Sequence, residues 1–271
     1  MAKKQLKEMS FMDHLEELRW ILVRVTICIL IMASITFFFS DYIFDSIIFG
    51  PTSPDFFTYK FFCDLSHYLG FADSICVTEM PFIIQNTEME GQVNTLIWAC
   101  VTAGFILSFP YILYLAWGFI SPALYENERK NAKFFIFVSS ILFFLGVLFG
   151  YFVIVPMSVN FFATFKVSNV IQNQFNIDSY IGLIKTSVLA TGLYFELPIV
   201  IYFLSRLGLI TPEFLRKYRK YGIVIILIIS AVVTPPDVVS QIIVSIPMLA
   251  IYELSILLSA LVVKQKLKEN V

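Results

Sequence analysis

The sequence predicts an all-α membrane protein of six transmembrane helices, a single polytopic domain over residues 1–271 with both termini on one side. Three observations predict it. Of the 271 residues, 58% are hydrophobic and 14% charged, where a soluble domain carries about 25% charge. Mean hydropathy is +0.81, and the apolar residues gather in six helix-length runs at about 20–39, 93–116, 134–155, 180–205, 221–233 and 238–263. Finally, sixteen of the nineteen lysines and arginines lie in, or flank the spans beside, the termini and loops that six spans place together. The positive-inside rule makes that side cytoplasmic, N-in and C-in.

Run 20–39 is too long for a signal-peptide core, and the polar segment before it is acidic, so it is expected to stay as a membrane helix. Ser10 to Asp13 reads as a capping box, which starts a helix near Phe11. On that helix Asp13, Glu17, Trp20 and Arg24 share one face. Solvated charge near a helix N-terminus explains the two glutamates Glu16 and Glu17 as well as a binding role does.

The loop 41–92 is acidic and large enough for a small structure of its own. It holds Cys63 and Cys76. Outside the cytoplasm a disulfide between them is allowed, and two free thiols are equally compatible with the sequence. Cys28 and Cys100 lie within spans and read as small apolar fillers. No cysteines and histidines have zinc-binding spacing, and there are two histidines in all, so no metal site is expected.

Ser121-Pro122 and Thr211-Pro212 are helix starts, a capping hydroxyl followed by proline at the first helical position. The first leads a short acidic element carrying Glu126 and Glu128. The second leads into the basic cluster Arg216, Lys217, Arg219 and Lys220, for which anionic lipid head groups are a sufficient explanation. Run 221–233 is short. The sixteen residues between Lys220 and Asp237 make a helix of about 24 Å, a length that draws the local bilayer thin. Thr234-Pro235-Pro236-Asp237 then turns the chain, with Thr234 the expected cap of the next helix. Prolines 110, 198 and 247 interrupt spans two, four and six and favour a curved wall over a tight bundle.

Glu196 is the one charged residue between Lys185 and Arg206. It lies about 15 Å along the helix from each, near the middle of a bilayer core about 30 Å thick. A charge there costs roughly 3 kcal/mol on insertion scales. It is either a protonated, hydrogen-bonded tie between helices or part of a site. Glu253 is a second carboxyl inside a span.

Taken together, several stretches resemble one family. Asp13-His14-Leu15-Glu16-Glu17-Leu18-Arg19 is similar to its H-L-x-E-L-R signature. Phe119 to Arg129 is similar to its F-x-x-P-A-L-x-x-x-E-R loop. Phe195-Glu196-Leu197-Pro198 resembles its F-E-x-P in span four. The segment from Thr234 to Gln241 resembles its T-P-P-D-x-x-S-Q turn, and Ile246-Pro247-Met248 with Tyr252-Glu253 continues the match. The family is TatC, the receptor subunit of the twin-arginine protein translocase.

The resemblance implies a concave, cupped arrangement of six helices in the cell (inner) membrane, without enzymatic activity or cofactor. It implies recognition of twin-arginine signal peptides on folded substrates by the carboxylates Glu17 and Glu128, supported at the inner face by His14, Arg19, Pro122 and Arg129. It also implies single-span partner subunits of the TatA and TatB type meeting an intramembrane groove at Glu196, Pro198 and Glu253. Thr234, Pro235, Pro236, Asp237 and Gln241 form its outer hairpin. Membrane lipids, homo- and hetero-oligomers and the proton-motive force complete what it implies, and nucleic acid has no place in it. The chain departs from the family pattern in its long loop 41–92, in the two cysteines there, and in Trp20-Ile21 following Arg19. An ion-coupled small-molecule transporter using Glu196 and Glu253 as relays is the alternative, and it calls for inverted repeats that the two halves do not display. An intramembrane hydrolase needs a nucleophile–base pair at depth, and His14 and His67 both lie outside the spans.

Overall fold

The apolar runs become long helices because no backbone polar group can be left unpaired in hydrocarbon. The computed structural model describes residues 11–68, 70, 76–120, 132–168 and 170–269. In order, its main elements are α1 (Phe11–Phe38), α2 (Phe57–Tyr68), β1 (Phe82–Gln85), α3 (Gly91–Ile120), α4 (Ala132–Phe149), α5 (Val155–Thr164), β2 (Asn173–Asn176), α6 (Ile177–Tyr194), α7 (Leu197–Arg206), α8 (Pro212–Lys217), α9 (Arg219–Val233) and α10 (Val238–Glu269). Among the described residues, five stretches are long and apolar enough to cross a membrane: Leu15–Phe38, Gly91–Phe119, Lys133–Thr164, Ile177–Arg206 and Val238–Lys266. The run at 221–233 is helical as α9, but its 15 residues reach only about 22 Å.

Two departures from the sequence expectation have physical causes. The fold is not purely helical: β1 and β2 pair in parallel, Phe82 opposite Asn173 through Gln85 opposite Asn176. The Phe82 and Phe175 rings lie 5.1 Å apart, and the Asn176 amide reaches the Thr87 hydroxyl at 2.9 Å. The third span also runs past residue 155. Its helix passes through one π-helical turn, Gly150–Ile154, and continues as α5 to Thr164. Pro156 has no N–H to offer the carbonyl of Phe152 four residues back. The Thr58 hydroxyl from α2 donates to that carbonyl instead, at 2.5 Å. The Tyr59 hydroxyl lies within hydrogen-bond distance of two carbonyls, Pro51 at 2.9 Å and Pro156 at 3.0 Å, and burial pushes its phenol pKa up.

The chain divides into two units, residues 1–39 with 100–140, and residues 40–99 with 141–271. In the first, α1 meets α3 at Gly104. A Cβ there would come within 2.7 Å of the Ala33 nitrogen and 2.9 Å of the Ile29 carbonyl oxygen. Thr36 holds the same crossing from its hydroxyl to the Cys100 carbonyl, at 3.2 Å. Trp117 stacks on Phe135 with ring centroids 5.4 Å apart.

In the second unit a buried cluster of Ile154, Ile201, Leu215, Ile226, Val244, Met248, Tyr252 and Ile256 joins α7, α8, α9 and α10. Polar ties hold it in register. Ser205 meets Ser259 at 2.7 Å and Ser230 meets Ser245 at 2.9 Å, while the Tyr194 hydroxyl donates to the Met248 carbonyl at 2.9 Å. Gly146 and Gly150 present a bare backbone to α6. A Cβ at Gly146 would meet the Thr191 carbonyl oxygen at 2.5 Å and the Gly192 Cα at 2.8 Å. Small residues four apart allow this approach in a membrane, where packing rather than the hydrophobic effect joins helices.

The end of α5 is closed by one side chain. The Asn173 amide nitrogen lies 2.9, 3.0 and 3.1 Å from the carbonyls of Phe162, Ala163 and Phe165. Asn173→Ala strips the partner from these terminal carbonyls and is expected to destabilise the unit by about 1 kcal/mol. Thermal melting of the purified protein in detergent checks this, and an unchanged midpoint would show that water replaces the amide without loss.

Candidate functional site

Glu17 is half-buried on α1, one turn before the apolar run begins. Its Oε2 is buried and has no hydrogen-bond partner among the described residues. A buried carboxylate oxygen left so is costly, so the position is suited to receive a donor from elsewhere. Arg19, two residues on, is exposed. The side chain of His14 and all of Pro122, Glu128 and Arg129 lie outside the described residues, and with them the expected pairing of Glu17 with Glu128.

Glu196 is not inside a continuous helix. Phe195 and Glu196 form a two-residue break between α6 and α7. Pro198, buried in the first turn of α7, cannot donate to the Tyr194 carbonyl, and the chain breaks there. The Glu196 carbonyl starts the new helix by accepting from Ile199 and Val200 at 3.0 and 3.1 Å. Glu196 is 8% exposed, beside Phe195, whose ring lies 5.7 Å from Phe149.

Glu253 is held in an ion pair. Arg219, at the start of α9, grips it with both prongs: Nε donates to Oε1 at 2.6 Å and Nη2 donates to Oε2. Glu253 therefore has a partner within the chain, on an exposed flank of α10. The sequence reading missed this pair because the partners lie 34 residues apart. It also missed Asp178, whose Oδ1 accepts from the Thr95 hydroxyl at 2.6 Å.

The turn between α9 and α10 is closed by its own side chains. The Thr234 hydroxyl donates back to the Ser230 carbonyl at 2.8 Å, ending α9. The cap of α10 is therefore Asp237 and not Thr234, because the Asp237 carboxylate accepts from the Ser240 N–H at 2.8 Å. Pro235 is buried and Pro236 exposed. The Gln241 amide crosses the hairpin to the Leu227 carbonyl at 3.2 Å.

The Ser240 N–H, more than any other group, holds the Asp237 carboxyl below its ordinary 3.8, against a smaller opposing effect of burial. A carboxyl with a depressed folded pKa adds stability that is complete above the unfolded value and is lost as pH falls through the folded one. Asp237→Ala is therefore expected to destabilise the protein by about 1 kcal/mol at neutral pH, the usual effect of losing an N-cap. The gap from the wild type should close as pH drops below 3.8. Melting curves of the two proteins from pH 7 to pH 3 test this, and a gap that does not vary with pH would assign the effect to something other than the ionised cap.

On the remaining loop, Cys63 and Cys76 form a disulfide with Cα atoms 4.6 Å apart. Cys28 and Cys100 are free thiols, half-buried and buried. His67 sits beside the disulfide, and the three donor atoms of Cys63, His67 and Cys76 lie within 4.8 Å of one another. The sequence sign was Cys63-x-x-x-His67 on one helix face, completed by a cysteine that only the fold brings near.

Long apolar helices, a helix break at a buried carboxyl and a hairpin closed by polar side chains define a multi-pass membrane protein. Comparison with known proteins gives the family. The profile of TatC, Sec-independent protein translocase protein, matches residues 13–247. A TatC protein of Blattabacterium sp. subsp. Periplaneta americana is 42% identical over 271 residues, covering 97% of this chain and 100% of the relative. One of Aquifex aeolicus is 35% identical over 259 residues, covering 95% and 98%. A crystal structure described as the twin arginine translocase receptor TatC superposes with a TM-score of 0.69 at 34% identity, over 92% of this chain and 99% of that one. The chain belongs to the TatC family, and it is a component of the Sec-independent translocation system.

Proposed function

We propose that this chain is the receptor core of the twin-arginine translocase. A twin-arginine signal peptide docks at the cytoplasmic face, where Glu17 and Glu128 accept its two guanidinium groups. His14, Arg19, Pro122 and Arg129 shape that surface. Carboxylates accept guanidinium bidentately, and lysine does not reproduce that geometry. The observation that carries the reading is the buried Glu17 Oε2 that has no donor among the described residues, at the motif position the family uses for this contact.

From there the signal peptide enters a concave membrane groove formed by six spans with both termini cytoplasmic in the cell inner membrane. The short α9 is the fifth span, and it thins the bilayer where passage forms. Single-span partner subunits assemble near Glu196 and Pro198, and the proton-motive force drives transport of folded proteins. Glu196, buried at a helix break, offers a polar contact for a helix that arrives from a partner.

Co-purification with a folded substrate tests the reading. A twin-arginine substrate should be retained and its twin-lysine version lost, and equal recovery of both would end it. Glu196→Gln should leave docking of the signal peptide within about twofold of wild type while reducing partner co-purification and transport severalfold, since the amide keeps the shape of the carboxyl but replaces one of its oxygens by a donor. Crosslinking to a labelled signal peptide separates the two effects. Equal loss of docking would move Glu196 into the recognition site.

A further inference from the structure

Cys63 and His67 leave α2 on one face, four residues apart, and Cys76 returns beside them on the way to β1. The Cys63 Sγ lies 4.0 Å and the Cys76 Sγ 3.7 Å from the His67 Nε2. A tetrahedral ion bound at about 2.3 Å to sulfur and about 2.0 Å to nitrogen holds its donors roughly 3.5–3.8 Å apart. Two edges of such a donor triangle are thus close to the required length, and the disulfide closes the third. The two sulfurs need to part only from bonding to contact distance. His67 is exposed, which leaves room for water as a fourth ligand.

We propose that Cys63, His67 and Cys76 form a redox-gated site for a thiophilic d10 cation, with zinc as the reference ion. In the oxidised state the disulfide excludes the ion. A dithiol reductant supplies two electrons and two protons, and the disulfide becomes two thiols while the reductant becomes a disulfide. Binding of the ion releases the two thiol protons, and two thiolates with the His67 Nε2 lone pair complete the set. Two soft sulfurs and an imidazole select such ions over magnesium or calcium. The helix that carries two of the ligands does not depend on the disulfide for its place. Thr58 ties it to the Phe152 carbonyl and Tyr59 to those of Pro51 and Pro156, so the reduced loop keeps its frame.

The test uses the full-length protein in detergent, without a polyhistidine tag, oxidised or reduced, with zinc measured in competition with a chromophoric chelator. The reduced protein should bind about one zinc per chain and the oxidised protein essentially none. His67→Ala should weaken binding by about tenfold or more, and the double variant Cys63→Ser/Cys76→Ser should abolish it. Zinc should also slow alkylation of Cys63 and Cys76, read by mass spectrometry, in the unsubstituted chain, where misfolding of a variant plays no part. Equal zinc in the oxidised and reduced proteins, undiminished affinity in His67→Ala, or alkylation indifferent to zinc would each overturn the proposal.

Discussion

Glu17→Ala is expected to weaken binding of a twin-arginine signal peptide by about 30-fold or more, since truncating one partner of a hydrogen-bonded charge pair costs roughly 2 kcal/mol or above. Glu17→Gln should fall nearly as far, because an amide keeps the volume but loses the charge and one acceptor. Glu16→Gln, one position round the helix on an exposed side chain, should change little. The measurement is the affinity of the purified protein for a labelled signal peptide. Unchanged affinity in both Glu17 variants would leave the half-buried carboxylate as part of the α1 surface alone. Protein stability should not fall in Glu17→Ala, because the variant removes a buried oxygen that has no partner among the described residues.

A second large effect is expected at the α4–α6 contact. Gly146→Ala drives a methyl group into the Thr191 carbonyl at 2.5 Å and the Gly192 Cα at 2.8 Å. Backbone cannot swing away as a side-chain tip can, so the helices must part, at about 1–3 kcal/mol for this methyl and more for a larger side chain. Gly182→Ala is the matching control, since nothing lies within 4 Å of a Cβ at that glycine of α6. It should be neutral or slightly stabilising, as alanine is the better helix former. Thermal denaturation in detergent, followed by loss of the monodisperse peak, decides between them. If Gly146→Ala melted with Gly182→Ala, the close approach would carry no weight in the fold.

The long helices and the family motifs were legible because hydrophobic length and charge sorting are properties of consecutive residues. Glu17, Glu196 and the Thr234–Gln241 turn stood out for the same reason: each is a polar group at a position where its neighbours are not. What could not be read were the contacts between distant residues. Nothing near Glu253 announces Arg219, and nothing near Phe152 announces the Thr58 hydroxyl that compensates Pro156. The helix-capping role passed from Thr234 to Asp237 because both are good caps, and the backbone alone chooses between them. The parallel β1–β2 pair joins four-residue segments nearly ninety residues apart, too short for either to declare itself by pattern.

The α9–α10 hairpin is fastened at both ends. At its turn, Thr234, Asp237 and Gln241 satisfy the backbone, and at its open end Arg219 clasps Glu253. With 15 residues, α9 is shorter than the roughly 20 apolar residues that a helix needs to be inserted for its own sake. As the fifth span we propose, it would enter the bilayer together with α10 rather than before it. Glu253 must be synthesised before Arg219 gains its partner, so on that reading the two helices enter as one object. On that reading biogenesis has a late committed step, in the last third of the chain.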